Sequence, residues 1–184
     1  MQLLSIPPEI ERIVYKLQLQ LFSKRDTNLT YRALNHYQKM GIIYENRQSD
    51  KMWRKFDGVE YIWIRTVEQL RKLGVRLEDI VRLRTKIFID GNLGHIDRAN
   101  FINRNFVQEI AFSIQGNYKL YLVLFSDFSF TFHDSQSSQQ WLNRSYKDEP
   151  HINIPLHEST KEAWRIIKDL PEGKRFEKKI LISE

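Results

Sequence analysis

The sequence predicts an α+β protein, in which a mainly helical N-terminal part is followed by a small antiparallel sheet with one helix. In most of residues 8–88, apolar residues recur every three or four positions, as on one face of an α-helix. After residue 101 they alternate with polar residues, which is typical of strands with one buried face. Prolines, capping residues and glycines at the ends of these runs indicate where the individual elements begin and end.

The first predicted helix spans residues 8–23. Pro7 and Pro8 precede most of it, and proline is tolerated in the first helical turn because the amide there has no partner within the helix. Its apolar stripe consists of Ile10, Val14, Leu17 and Leu21. The polar residues 23–28 then favour a break in the helix.

The second predicted helix spans residues 29–40. Thr27 or Asn28 can cap it, because their side-chain oxygens accept hydrogen bonds from the free amides of a first turn. Gly41 follows directly, and glycine readily adopts the left-handed conformation that closes a helix.

A β-hairpin and two more helices complete the N-terminal part. Residues 44–56 have a polar centre, Q-S-D-K, between apolar or aromatic ends, as a hairpin requires. The next helix begins near Val59 and closes at Gly74. Its inner row is formed by Ile62, Thr66, Leu70 and Leu73. Another helix spans residues 77–88. Helix, helix, hairpin and two helices outline a winged helix-turn-helix domain, to which we assign residues 1–95.

Residues 104–184 are predicted to form a second, α+β domain for dimerisation or effector binding. Its strands cover residues 109–115, 118–125, 128–133, 152–156 and 174–182. The nearly continuous apolar run of residues 118–125 is typical of a buried, central strand. Ser159 and Glu162 have the spacing of a capping box and predict the start of its helix. Alternating aromatic side chains in the strands can line a pocket or form a core and subunit interface, and the second interpretation needs fewer assumptions. These residues are Tyr118, Tyr121, Phe125, Phe128, Phe130 and Phe132.

Charge and composition narrow the function. Residues 1–90 contain 17 Lys and Arg against 11 Asp and Glu, whereas residues 91–184 contain 12 of each, so the net charge of +6 belongs to the N-terminal half. This asymmetry favours binding of a polyanion such as nucleic acid. The chain has no cysteine and no apolar run long enough for a membrane span, and we expect a cytoplasmic, nucleoid-associated protein. No spacing predicts a catalytic, metal or cofactor site.

Three separate motifs in residues 30–88 resemble the DNA-binding domain of the MerR family of bacterial transcription regulators. A-L-N-H-Y-Q-K-M-G-I-I is similar to the family's T-L-R-Y-Y-e-k-i-G-L-l, M-W-R-K-F to its wing signature g-Y-R-l-Y, and L-R-K-L-G-V-R-L-E-D-I to l-r-e-l-G-f-s-L-e-e-I. Asn35 and His36 stand where the family motif has arginine and tyrosine. The family's usual first helix has no recognisable counterpart before residue 28.

The candidate DNA-binding residues lie on the second helix and the hairpin. Those on the helix are Arg32, Asn35, His36, Tyr37 and Lys39, and those on the hairpin are Arg47, Lys51, Arg54 and Lys55. Arg32, Asn35, His36 and Lys39 share one helix face, which provides donors and acceptors for base edges and cations for phosphates. The resemblance implies that Arg54 contacts the DNA backbone and that Tyr37 packs inward with its hydroxyl near a phosphate. A merely solvated helix face and a purely structural tyrosine are the simpler alternatives.

These observations predict a protein of bacterial or phage type that binds double-stranded DNA sequence-specifically as a homodimer. The resemblance also implies RNA polymerase as a partner, whereas no effector can be named. One alternative is an architectural or accessory DNA-binding factor, similar to an excisionase or a segregation protein. Another is a winged-helix module that binds a protein partner.

Overall fold

The computed structural model describes residues 6–44, 54–88, 105–134 and 150–170. Its helices are α1 (Pro8–Leu17), α2 (Tyr31–Lys39), α3 (Gly58–Lys72), α4 (Leu77–Phe88), α5 (Phe106–Gly116) and α6 (His157–Ile167). Its strands are β1 (Phe22–Ser23), β2 (Lys55–Phe56), β3 (Leu120–Phe125), β4 (Phe130–Asp134) and β5 (His151–Pro155). This mixture of helices and small antiparallel sheets confirms the α+β class.

Helix α1 is shorter than predicted, because it ends at Leu17 rather than near residue 23. Ile10 and Leu17 of the predicted stripe are buried, but Leu21 is exposed. The amide of Leu21 donates to the carbonyl of Phe56, and Phe22 pairs with Phe56 in an antiparallel bridge between β1 and β2. The chain therefore leaves the helix early to pair with a strand that is distant in the sequence.

Helix α2 is preceded by a 3-10 turn, Lys24–Asp26. Thr30 caps α2 by accepting a hydrogen bond from the amide of Ala33, so the predicted caps Thr27 and Asn28 were wrong. The predicted glycine stop is confirmed. Gly41 has a φ of 76°, and the amide of Ile42 donates to the carbonyl of Tyr37, which closes the helix.

Helices α3 and α4 closely follow the prediction. Asp57 caps α3, and Ile62, Thr66 and Leu70 form a fully buried row along it. Leu73, the predicted end of that row, is exposed. Helix α4 has the predicted bounds and buries residues such as Ile80 and Leu83 against the core.

Residues 106–116 form helix α5, so the strand predicted at 109–115 was wrong. Asn105 and Gln108 make a reciprocal capping box at its start, and Asn117 closes it in a left-handed conformation. Phe106 and Ile110 are one helical turn apart and are both buried. Their spacing is therefore as consistent with one face of a helix as with the alternation of a strand. The C-terminal part therefore has two helices beside its sheet in the described residues.

The C-terminal sheet has the order β4-β3-β5, and both pairings are antiparallel. Nearly all of β3 is buried, which confirms the predicted central strand. Helix α6 begins two residues before Ser159, whose hydroxyl donates to the carbonyl of Leu156 instead of capping the helix. The strand predicted at 174–182 lies outside the described residues.

One hydrophobic core contains side chains from both halves of the chain. Helix α1 packs against α5 and α6, and α3 packs against α6 and β5. Phe106 joins the two halves directly, with its ring centroid 6.3 Å from Trp63 and 5.7 Å from Phe132. The predicted boundary between residues 95 and 104 lies outside the described residues. The two-domain division therefore stays a prediction.

Candidate nucleic-acid interface

The polar face of α2 points away from the core. Arg32, Asn35, His36 and Lys39 are all exposed. Leu34 and Tyr37, on the opposite side of the helix, are 0% and 9% exposed and belong to the hydrophobic core. The Tyr37 ring therefore packs inward, as expected. A helix that buries one side so completely can present the other side to a partner without disturbing the fold.

Arg54 does not lie on an exposed hairpin tip, because it is only 9% exposed. Its Nη2 donates to Oδ1 of Asn35 at 3.1 Å and to Oε1 of Gln38 at 2.5 Å. The arginine thus lies beside the polar face of α2 and connects it to the segment that leads into β2. Sequence reasoning placed Arg54 near this face but missed Gln38. The spacing of three residues from Asn35 to Gln38 was the available signal.

The remaining hairpin residues are described only in part. Lys55 is exposed on β2, where it pairs with Ser23 of β1. Arg47 and Lys51 lie outside the described residues. Strand β2 thus pairs with β1, which precedes α2 in the chain. The centre of the predicted hairpin lies outside the described residues.

The start of α2 carries two more groups that the sequence prediction did not include. Tyr31, its first residue, is 52% exposed. Lys24 lies with its Nζ 5.8 Å from the centre of the Tyr31 ring, a distance that permits a cation–π contact. Lys24 and Arg32 therefore provide two cationic groups near this end of the helix.

Hydrogen bonds hold both ends of the α2 segment on helix α3. Before α2, Glu68 accepts from the backbone amide and the side-chain amide of Asn28, at 3.0 and 3.1 Å. After α2, the indole of Trp63 donates to the carbonyl of Ile42 at 2.7 Å. These contacts fix the orientation of α2 at both ends, as is required of a helix that presents its side chains to a binding partner.

A buried ion pair joins this framework to α4. Glu60 accepts from Arg84 Nη2 at 3.0 Å and from the amide of Tyr44 at 2.7 Å. The guanidinium of Arg84 also lies 4.6 Å from the centre of the Phe88 ring. Burial raises the pKa of the Glu60 carboxyl above its ordinary value, although Arg84 opposes this shift. Burial likewise raises the pKa of Asp57 at the start of α3.

The described residues offer little else that suggests a reactive site. They contain no group of three or more His, Cys, Asp or Glu side chains arranged to hold a metal ion. None of the helices in this part of the chain has the length and hydropathy of a membrane span. His133 lies in β4, and burial lowers its pKa. It belongs to the C-terminal sheet rather than to the α2 surface.

One comparison with known proteins matches this segment. No curated protein and no solved structure matches the chain. The family model described as MerR HTH family regulatory protein matches residues 24–86. That range begins at the 3-10 turn and ends in α4, so it covers the polar face of α2 and the residues that form hydrogen bonds at its two ends. The match over residues 24–86 therefore supports a DNA-binding transcription regulator with a helix-turn-helix domain of MerR type.

Proposed function

We propose that the protein is a sequence-specific regulator that reads double-stranded DNA with the polar face of α2. The observation that carries this proposal is the outward row of Arg32, Asn35, His36 and Lys39 on a helix of the family-matched segment. The row combines amide, imidazole and cationic groups. Proteins use amide and imidazole groups to contact base edges, and cationic groups to contact phosphates.

The dimensions of α2 suit the major groove. Its nine residues span about 13 Å at 1.5 Å per residue, comparable with a groove about 12 Å wide. Arg32 and Lys39 lie two turns apart, where they can neutralise phosphates on the two sides of the groove. Asn35 and His36 lie between them, where base edges are within reach.

Flanking cations would add contacts to the DNA backbone. Lys55 on β2 and Lys24 before α2 are described groups that can serve this role. Arg47 and Lys51 remain candidates from the sequence. Each phosphate contact releases counterions, so the affinity should depend steeply on salt.

We further propose that two copies bind a two-part operator, in a bacterial or phage setting. The MerR resemblance supports this arrangement, because that family pairs its subunits and distorts promoter DNA for RNA polymerase. The basic N-terminal half and neutral C-terminal half also fit a chain that binds DNA with one part and another protein surface with the other. Footprinting separates this from an architectural role, which would protect an extended stretch instead of one paired site.

The test begins with selection of genomic fragments by the purified full chain at two salt concentrations. Fluorescence anisotropy on a selected duplex then gives the affinity of the wild type, Lys39→Ala and Lys55→Ala over a range of salt. Each variant should weaken binding on all sequences and reduce the slope of log K against log salt by about one.

Lys161→Ala is the matched control, because Lys161 is an exposed lysine on α6, outside the family-matched segment. Its affinity and slope should equal those of the wild type. Absence of duplex binding at low salt, or the same loss in all three variants, would contradict the proposed interface. Binding of a protein from nuclease-treated lysate with no DNA affinity would favour the protein-interaction alternative.

A further inference from the structure

We propose that Arg54 is a specificity-determining residue that turns the amide groups of Asn35 and Gln38, so that α2 presents hydrogen-bond donors to the groove. This inference rests on the proposed DNA-binding function and deepens it. It assigns the class of base edge that the α2 surface selects: the acceptor groups of guanine and thymine.

The geometry consists of one guanidinium nitrogen between two amide groups. Arg54 Nη2 is 3.1 Å from Oδ1 of Asn35 and 2.5 Å from Oε1 of Gln38. Asn35 is exposed and Gln38 is half-buried, whereas Arg54 is 9% exposed. The buried cation therefore faces the oxygens of both amides, and the Asn35 side chain is exposed to solvent.

The chemistry of arginine decides which way the amides point. A guanidinium group has five N–H donors and no acceptor, so an amide can face it only with its oxygen. A hydrogen bond to a charged donor is about twice as strong as one between neutral groups, so this orientation is well held. With the oxygens turned toward buried Arg54, the NH₂ groups are the parts directed outward.

An outward NH₂ group changes what Asn35 can recognise. Asparagine pairs with adenine in a bidentate manner only if its oxygen and nitrogen face the base together. With the oxygen held by Arg54, the nitrogen can instead donate to guanine N7 or O6 or to thymine O4. Cytosine presents only the N4 donor, which would meet a donor, and adenine presents its N7 acceptor beside the N6 donor, so it is less favourable than guanine with its two acceptors.

The neighbouring charged groups have the same character. Arg32 and Lys39 carry donors only, so the row on α2 offers few acceptors to a base edge. His36 is the member that can accept, through one ring nitrogen of its neutral form. The surface should therefore favour half-sites in which guanine or thymine faces the middle of α2.

The burial of Arg54 also bears on whether this residue contacts a phosphate or orients other side chains. A phosphate contact adds to affinity on every sequence, whereas an orienting residue changes the relative affinity for different bases. The resemblance implies the first role for Arg54, and the contacts of its guanidinium favour the second.

The experiment is a selection from a randomised duplex library, followed by measured affinities for duplexes that differ at one position. Wild type, Arg54→Met and Asn35→Asp are compared as full-length protein. The wild type should prefer guanine or thymine at one position per half-site. In Arg54→Met the amide of Asn35 can rotate, so the preference for guanine over adenine should fall about 10-fold with little change in the salt slope.

Asn35→Asp tests the same idea without removing Arg54. Aspartate keeps an oxygen for the guanidinium but presents a second oxygen to the groove, so the preference should shift toward cytosine or adenine. The preference ratio is the readout, because the added negative charge weakens binding to every sequence.

The outcomes distinguish this inference from the proposed function. A lower salt slope with unchanged base preference in Arg54→Met would make Arg54 a phosphate contact and overturn the inference. An unchanged preference in Asn35→Asp would also overturn it. A wild type that binds no duplex at low salt would instead contradict the proposed function itself. Thermal unfolding of each variant identifies a loss of binding that arises from unfolding.

Discussion

Replacement of Arg84 with methionine tests the buried ion pair that connects α3, α4 and the end of the α2 segment. Arg84 Nη2 and Glu60 Oε2 are 3.0 Å apart, and their side chains are 13% and 11% exposed. Methionine keeps much of the apolar stem beside Phe88 but leaves Glu60 without its cation. Removal of one partner of a buried pair costs about 3–5 kcal/mol. A domain of typical stability, about 5–15 kcal/mol, should lose a large part of that value.

The loss should depend on pH. Burial raises the pKa of Glu60 from its ordinary value of 4.5 even with Arg84 present, and Arg84 lowers it. Without Arg84 the pKa should rise further. A carboxyl whose pKa is higher in the folded state contributes stability below its unfolded pKa, and this contribution disappears as pH rises through the folded pKa. The deficit of Arg84→Met should therefore be larger at pH 8 than at pH 5.

Urea unfolding followed by circular dichroism at both pH values measures these differences. The double variant Glu60→Gln with Arg84→Met removes both charges and should recover most of the stability. Arg76→Met is the control, because the side chain of Arg76 is 76% exposed and its buried partner Asp79 keeps a second cation, Arg82, at 3.6 Å. The loss of stability in this variant should therefore be about 1 kcal/mol or less. Equal losses for the two single variants, or a larger Arg84→Met deficit at pH 5, would refute the reasoning.

Three further predictions concern other contacts. Glu68→Ala leaves the backbone and side-chain amides of Asn28 without their acceptor, so the free energy of unfolding in urea should fall by about 2 kcal/mol. A fall of less than about 0.5 kcal/mol would contradict the idea that Glu68 holds the start of the α2 segment. In Gly41→Ala the added Cβ would contact no atom within 4 Å, but the residue would have to keep a φ of 76°. The free energy of unfolding should therefore fall by about 1–2 kcal/mol in thermal unfolding, and an unchanged midpoint would argue against a left-handed residue at the end of α2. Burial lowers the pKa of His133, so stability should decrease as pH falls below 6.5, and His133→Gln should reduce that dependence; an identical pH profile in the variant would exclude His133 as its source.

The elements that the sequence predicted well are those with local signals. Gly41 and Gly74 both have positive φ, and each ends a helix at the predicted place. Helix α4 has its predicted bounds, and β3 is the predicted buried strand. In each case the cause is a bond or a packing pattern within a few residues, which a single segment of sequence records.

Residues 106–116 show how a local pattern can mislead. Their apolar residues satisfy alternation, but Phe106 and Ile110 also share one helical face. The capping box of Asn105 and Gln108 was present in the sequence and favoured the helix. Packing against α1 and α6 then stabilises the helical form.

The sequence by itself determined the class of the protein, the basic N-terminal half and the one-sided row on α2, because composition and helical spacing are properties of the chain alone. Only the tertiary structure decided that β2 pairs with β1, that Glu68 holds Asn28, and that Arg54 lies under Asn35 and Gln38. These contacts join residues far apart in the chain. They form only when a shared hydrophobic core brings the segments together, so no local pattern records them.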